Sequence, residues 1–438
     1  MASKKILLLL TVLLATCMQT DALFGRKKRR EAREAAKLEE EANAAAELAA
    51  AQPDTDDDTA TKKILITFAL AMGLAMSLKK KEEKTVDVVL VGMGMPKKGM
   101  GWYHLTQLLK MPQANVIGVV EPFFLNPDLC KNPPSELTDF VNATSSVQFC
   151  KSIDELPEFS KDTVCLIAGR TGDNPKFFEQ CVSKGAKAIF LEKPGAPTVA
   201  KLEEMKKLAY SKGVKVYLGY NKNVTPYVQR ALKLSSEVPG STVLFRHNNS
   251  YKIEELPECF ARNSEGMLKN MAIHELALLA SFFDVTTDTI DAFVIDTEVS
   301  EKLTLNPGKW LPSQKEITDF SKIKFTVTTK SNKSVSVMAD RCGGNVSYAS
   351  VLDARGQEVS KFEFPDPANI EKVNAQVAAD PDMMPYFFVQ SDDYWTLKTR
   401  VLDSMIKGED AEGLATIDVG IEAMKLAEYG TAQLMKAL

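Results

Sequence analysis

Residues 86–104 read VDVVLVGMGMPKKGMGWYH, and this stretch decides the fold of the larger part of the chain. Val86–Val91 predicts a buried β-strand, because it is a short apolar run rich in β-branched residues. Apolar residues at helical spacing follow from Leu105 onward. Between the strand and the helix lies a turn that holds Gly92, Gly94, Gly99 and Gly101. A strand, a glycine-rich turn and a helix in this order predict a dinucleotide-binding site.

The glycine turn has a physical reason to bind a pyrophosphate. Free N–H groups and the dipole at a helix N-terminus attract an anion, and glycines let the backbone approach it closely. Residues 95–98 make this turn longer than the common G-x-G-x-x-G pattern. The next predicted strand, residues 115–120, ends at Glu121, about twenty residues past Gly101. A carboxylate there can accept hydrogen bonds from both ribose hydroxyls and repels a 2′-phosphate, so we expect NAD, with NADP as the alternative.

The rest of the chain to residue 218 alternates short apolar runs with amphipathic stretches, which predicts βαβ units on a parallel sheet. Further strands are predicted at residues 147–150, 163–168, 188–191 and 215–218, with helices at residues 175–184 and 199–211. The sequence therefore predicts an α/β protein with a Rossmann domain over residues 85–218. A second domain is expected over residues 219–438.

Glu192-Lys193-Pro194 directly follows the predicted strand at residues 188–191. Three other segments strengthen its meaning: residues 101–104 (GWYH), 218–221 (LGYN) and 266–276 (GMLKNMAIHEL). Together these motifs resemble the Gfo/Idh/MocA family, which includes glucose–fructose oxidoreductase and inositol dehydrogenase. The match is good over residues 86–280 and looser beyond, where residues 418–428 resemble the closing helix of the family.

The resemblance implies a Rossmann domain followed by an α+β domain with an open, mostly antiparallel sheet. That sheet carries the substrate and often makes homo-oligomer contacts. Strand-like alternation after Gly240 agrees with this, at residues 243–247, 290–297, 322–329 and 334–339. The implied activity is hydride transfer between NAD(P) and the alcohol or carbonyl carbon of a small, polar, sugar-like or ketoacid-like substrate.

The resemblance also implies roles for particular residues. Glu192, Lys193 and Pro194 bind the cofactor, and Lys193 lies between the nicotinamide ribose and the reacting hydroxyl, where a cation stabilises alkoxide character. His274 is the implied general acid/base, since an ordinary imidazole pKa suits proton exchange at neutral pH. Tyr220 and Asn223 are implied to contact the substrate.

Several residues depart from the pattern of the family. Asn270 replaces the carboxylate that usually stands one helical turn before His274, and an amide can orient an imidazole but cannot stabilise its charge. Glu275, about 100° around the helix, is a poor substitute. Residues 169–171 and Asn174 also differ from the family near the cofactor, and Asn223 stands where an arginine is common. We therefore expect a substrate other than a typical sugar or inositol.

Three functional hypotheses stay open from the sequence. The first is a dehydrogenase or reductase that acts on CH–OH groups, with Lys193, His274 and Asn270 in its catalytic site. The second is a non-catalytic dinucleotide-binding regulator on the same fold, for which Asn270 is the main support. The third is a membrane-tethered scaffold, which rests on the N-terminal leader alone.

Composition excludes some other classes of protein. The net charge of -4 gives no sign of a nucleic-acid partner, because such a partner normally binds a basic face of a protein. Three histidines and seven scattered cysteines argue against a metal centre and a disulfide framework. Cys165 and Cys181 are predicted to be small buried residues.

The N-terminal 84 residues carry targeting signals rather than a fold. Residues 1–22 have the basic start, apolar run and small residues of a secretory signal peptide. A charged, Ala/Glu-rich linker follows at residues 23–62. Residues 63–80 contain an apolar run flanked by lysines, which predicts a transmembrane anchor or part of a transit sequence. We expect entry into the secretory pathway and a membrane-associated or plastid destination.

Overall fold

Strand β1, Val86–Val91, lies near the centre of a six-stranded parallel sheet in the computed structural model, which describes residues 84–160 and 162–438. Its apolar side chains are buried because a strand flanks it on each edge and a hydrophobic core covers each face. The strands and helices of this domain are β1, α1 Met100–Leu108, β2 Ala114–Val120, α2 Ser135–Ala143, β3 Gln148–Cys150, β4 Val164–Ile167, α3 Asn174–Ser183, β5 Ala188–Leu191, α4 Val199–Lys212 and β6 Lys215–Leu218.

The strand order of this sheet is β3-β2-β1-β4-β5-β6, and all neighbouring strands are parallel. This is the Rossmann order, in which the direction of strand addition reverses between β1 and β4. In such sheets the ligand binds at the carboxyl ends of the strands beside that reversal. The glycine turn follows β1, and Glu192 follows β5, so both lie at this edge of the sheet.

A second domain with its own sheet follows. Its elements are α5 Pro226–Glu237, β7 Thr242–Asn248, α6 Leu256–Arg262, α7 Met267–Asn270, α8 Ile273–Phe282, β8 Ile290–Ile295, β9 Glu301–Leu305, β10 Ile317–Thr329, β11 Ser334–Asp340, β12 Ser347–Leu352 and β13 Glu358–Phe364. The strand order of this sheet is β13-β12-β7-β11-β10-β8, with β9 paired to β10. The pair β7–β11 is parallel and the other pairs are antiparallel. Phe325 and Val327 alternate along β10 and share a core with Leu276 and Leu279 of α8.

The last part of the chain returns to the first sheet. Its helices are α9 Ile370–Ala379, α10 Pro385–Val389, α11 Ser391–Lys407 and α12 Ile417–Ala437. Helix α11 packs against α1 and β1, while α12 packs against α4, α8 and β6. The C-terminal helices therefore contribute to the core of the Rossmann sheet as well as to that of the second domain.

The structure confirms the predicted α/β class, the parallel sheet and the mostly antiparallel second sheet. The predicted strand at residues 290–297 ends earlier, at Ile295, and that at residues 322–329 is the second half of the longer β10. Strands β9, β12 and β13 and helix α11 were not expected. In β9 and β13 the side chains are partly or fully exposed, which weakens the alternation, and in β12 three consecutive buried residues interrupt it.

No helix in the described part of the chain is long and apolar enough to cross a membrane. The predicted signal peptide, the charged linker and the apolar segment at residues 63–80 lie outside the described residues.

Candidate active site

The turn after β1 brings backbone segments into direct contact. A Cβ atom added at Gly101 would lie 1.9 Å from the carbonyl oxygen of Gly92, and one at Gly92 would lie 2.6 Å from the amide nitrogen of Gly169. Gly99 is the N-cap of α1, with no side-chain capping bond, and no acidic residue stands in the first turn of that helix. A close backbone and an acid-free helix start without a side-chain cap suit a pyrophosphate, so these residues fit a dinucleotide.

Glu121 holds this turn from the end of β2. Its carboxylate accepts hydrogen bonds from the amide nitrogen of Gly94 at 2.6 Å and from those of Phe123 and Phe124 at 3.1 and 3.2 Å. The structure therefore brings the predicted acidic residue next to the glycine turn. Its contact with a ribose stays a prediction.

The C-terminal part of the chain holds the widened section of the turn. Lys97 Nζ lies 2.7 Å from Asp380 Oδ1, and the carbonyl of Lys97 accepts a hydrogen bond from Met384 N at 3.3 Å. The hydroxyl of Tyr103 on α1 donates to the carbonyl of Phe387 at 2.8 Å. These contacts explain how a turn longer than usual keeps a defined position.

Lys193 lies at the end of β5, where its peptide bond to Pro194 is cis. Its Nζ donates one long hydrogen bond, of 3.5 Å, to the carbonyl of Asn270. Burial lowers the pKa of Lys193, and the neighbouring Glu192 carboxylate partly opposes that effect. Lys193 forms no salt bridge within the described residues, so its ammonium is available to a ligand.

His274 and Tyr220 meet beside Lys193. Their rings pack edge to face with centroids 5.7 Å apart. Nδ1 of His274 and the hydroxyl of Tyr220 are both buried without a hydrogen-bond partner in the described structure. Burial, followed by the charges of Lys193 and Lys222, lowers the pKa of His274 well below its ordinary value. His274 is therefore neutral at physiological pH.

The two asparagines predicted for the site have other partners. Asn270 Nδ2 donates to Glu265 Oε1 at 2.9 Å, and its side chain makes no hydrogen bond with His274. Asn223 is buried, and its Nδ2 donates to Ser281 Oγ at 2.8 Å. Its Oδ1 is buried without a partner in the described structure.

Lys222, His247 and Glu275 form a second charged cluster next to His274, which no motif in the sequence indicates. Lys222 Nζ contacts Glu275 Oε1 and lies 2.6 Å from His247 Nδ1, which is 3.4 Å from Glu275 Oε1. Burial opposes ionisation of Glu275, but Lys222 and His247 overcome it and hold the pKa of that carboxyl far below its usual range. The one feature of the sequence that pointed to this cluster is the small number of histidines, because each of them, including His247, is then a candidate for a functional role.

No group of three or more histidine, cysteine, aspartate or glutamate side chains is arranged to hold a metal ion in residues 84–160 and 162–438. Cys165 and Cys181 are free and fully buried.

Comparison with known proteins identifies the first domain. Residues 86–220 match the model of the Gfo/Idh/MocA family, described as an oxidoreductase family with an NAD-binding Rossmann fold. Among curated proteins, no sequence matches the chain. The glycine turn, Glu121 and the Glu192-Lys193-Pro194 segment all lie within the matched residues.

Solved structures share the fold across both domains. A putative myo-inositol dehydrogenase from Sinorhizobium meliloti is 17% identical with a TM-score of 0.59, over 81% of this chain and 98% of its own. A myo-inositol dehydrogenase from Corynebacterium glutamicum is 16% identical with a TM-score of 0.57, over 80% of this chain and 97% of its own. UDP-N-acetylglucosamine 3-dehydrogenase from Acidithiobacillus ferrooxidans is 12% identical with a TM-score of 0.54, over 80% of this chain and 97% of its own. At these identities the likeness establishes the fold alone.

Proposed function

We propose that this chain, whose residues 86–220 form the NAD-binding Rossmann domain of an oxidoreductase family, transfers hydride to or from a small polar substrate. The supporting observation is the meeting of Lys193, Tyr220 and His274 at the carboxyl edge of the Rossmann sheet. The Tyr220 hydroxyl and His274 Nδ1 are buried there without partners in the described structure. Buried polar groups normally have partners, so we infer that a substrate hydroxyl or carbonyl oxygen supplies them.

Each side chain has a distinct part in this proposal. NAD, when bound, supplies the hydride acceptor or donor. Lys193 donates a hydrogen bond to the reacting oxygen and stabilises its negative charge, and its lowered pKa makes proton exchange with that oxygen easier. Neutral His274 can accept or donate a hydrogen bond at Nδ1, and Tyr220 can donate one from its hydroxyl.

The charges around the site favour a substrate with several oxygens. Lys193, Lys222 and His247 bring basic groups close together, and Glu275 offsets part of that charge. Carbonyl, hydroxyl and carboxylate oxygens all suit such donors. We therefore propose keto-sugars and ketoacids, or the matching alcohols, as the substrate class.

One observation favours a second function, a dinucleotide-binding regulator without turnover. Asn270 takes the place of an expected carboxylate and donates to Glu265 instead of orienting His274. A site without an oriented acid/base could bind the dinucleotide and hold a ligand without reacting.

NADH binding and NADH oxidation together distinguish the two functions. Full-length protein should change NADH fluorescence under both hypotheses, but only an enzyme oxidises NADH when offered a panel of keto-sugars and ketoacids. Lys193→Met should abolish that oxidation and retain NADH binding. Lys187→Met, at the exposed opposite end of β5, is the matched control and should leave it unchanged. Full turnover in Lys193→Met would contradict the assigned role, and binding without turnover for every substrate would favour the regulator.

A further inference from the structure

A buried chain of three polar side chains connects Lys398 and His104 to Glu192, and neither Lys398 nor His104 has a role in the proposed function. Lys398 Nζ is 3.0 Å from His104 Nδ1, and His104 Nε2 is 2.9 Å from Glu192 Oε1. Their residues are 2%, 0% and 7% exposed, respectively. They come from α11, from α1 and from the residue after β5, so three distant parts of the sequence meet here.

The hydrogen-bond partners define where the protons lie. A charged lysine side chain can only donate, so His104 Nδ1 accepts from the ammonium of Lys398. Burial, followed by the charge of Lys398, lowers the pKa of His104 to about 4, so the imidazole is neutral at pH 7. The proton of His104 is therefore on Nε2 and is donated to the Glu192 carboxylate. The neutral imidazole connects the amine of Lys398 to the carboxylate of Glu192.

Lys398 reaches the Glu192 carboxylate through this imidazole. Its stem passes a small cavity lined by Val88, Val164 and Leu166 of the sheet. The titratable groups that face it are His104, Glu192 and, on its own helix, Tyr394, whose ring centroid is 5.6 Å from Nζ. Burial lowers the pKa of Lys398 to about 7, and Glu192 opposes that change.

We propose that Lys398 is a positioning residue which, through His104, holds the Glu192 carboxylate and thereby adjusts the proton affinity of Lys193. Glu192 directly precedes Lys193 and raises its pKa. Any other cation that interacts with the Glu192 carboxylate reduces this effect on the pKa of Lys193. A lysine is expensive to bury among apolar strands, and an apolar side chain of equal length would fill the same space. Its presence is explained if the charge acts on Glu192. The contact between Lys398, His104 and Glu192 does not depend on the proposed function, but its role in catalysis does.

The first test is independent of NADH and of any substrate. The chain has three histidines, so nitrogen NMR of labelled histidine can resolve all of them. We expect His104 to carry its proton on Nε2, and its Nδ1 resonance to shift as Lys398 titrates near neutral pH. Lys398→Met keeps the side-chain length and should remove that shift. Lys407→Met, at the exposed end of the same helix, should retain it.

The second test measures Lys193 itself, by the pH dependence of its reductive methylation followed by mass spectrometry. Lys398→Met removes the second cation near Glu192, so Glu192 stabilises the charged form of Lys193 more strongly. The midpoint of Lys193 methylation should therefore move to higher pH by about half a unit or more. Lys398→Gln, which keeps a donor but no charge, should show the same direction, and Lys407→Met should show none. A flat His104 resonance in the wild type, or an unmoved Lys193 midpoint in Lys398→Met, would overturn the inference. Failure of NADH to bind would instead count against the proposed function, because neither measurement depends on it.

Discussion

Gly101→Ala tests whether the backbone of the glycine turn forms the pyrophosphate site. The added methyl group would lie 1.9 Å from the carbonyl oxygen of Gly92, and 2.8 Å from Gly92 C and from Met93 Cα. Ordinary van der Waals contact begins at 3.4 Å, so the two segments must separate by about 1.5 Å. Both are backbone, and neither can rotate away. A displaced backbone loses hydrogen bonds to the charged pyrophosphate, each of which contributes about 1.5–3 kcal/mol, so NADH affinity should fall by about tenfold or more.

Two other glycines of this domain provide a graded comparison. A Cβ atom at Gly172 meets nothing within 4 Å, so Gly172→Ala should bind NADH like the wild type. A Cβ atom at Gly99 would lie 2.8 Å from the carbonyl oxygen of Met93, so Gly99→Ala should be intermediate. The predicted order of affinity is wild type and Gly172→Ala first, then Gly99→Ala, then Gly101→Ala.

The assay is NADH fluorescence titration of the full-length variants, with thermal unfolding measured on the same samples. Unfolding curves separate lost binding from lost folding, and Gly99→Ala carries the test if Gly101→Ala does not fold. A folded Gly101→Ala protein that binds NADH within a factor of about two of the wild type would refute the role assigned to this turn.

Two further predictions concern buried carboxylates. Glu121→Ser should lower the NADH affinity and move the NADH-to-NADPH preference toward NADPH by at least about tenfold, since hydrogen bonds to a charged group contribute about 1.5–3 kcal/mol. Paired titrations with NADH and NADPH measure the ratio of the two affinities. An unchanged ratio would contradict the contact between Glu121 and the ribose. Burial raises the pKa of Asp393 to about 7 from its ordinary value of 3.8, so the folded state binds more protons than the unfolded state between these values. Stability should therefore fall as pH rises through that window. Asp393→Asn should melt several degrees above the wild type at pH 8 and close to it at pH 4; equal melting temperatures at pH 8 would show that Asp393 carries no such penalty.

The part of the fold that depends on local sequence could be predicted. Strand β1, the glycine turn and helix α1 are contiguous, and each has a clear pattern, so the order of elements and the position of the turn follow from residues 86–104. Glu121 and Lys193 could also be predicted, because parallel strands bring their carboxyl ends to one edge. The structure places both residues at that edge.

The contacts of the C-terminal helices could not be predicted in the same way. Lys398 reads as a surface lysine on an amphipathic helix, and only the packing of α11 on the Rossmann sheet buries it against His104. The salt bridge between Lys97 and Asp380 joins residues 283 positions apart. No periodicity in a single sequence reports such a pair.

Helix geometry predicts one feature of Glu275 and misses another. Glu275 stands about 100° from the face of Asn270, which makes it a poor partner for His274, and its carboxylate contacts Lys222 and His247 instead. That prediction concerns one helix only, whereas Lys222 follows β6 and His247 lies on β7, and both reach Glu275 from outside the helix. The imidazole with a nearby carboxylate is therefore that of His247. Burial and then the charge of Lys222 lower the pKa of His247, and the Glu275 carboxylate 3.4 Å away only partly opposes them. A carboxylate–imidazole pair is therefore present next to His274, but its members are Glu275 and His247. Because the pKa of His247 is lowered and its Nδ1 faces Lys222, this pair does not supply the charge that Asn270 lacks beside His274, and Asn270 stays the main support for a regulator without turnover.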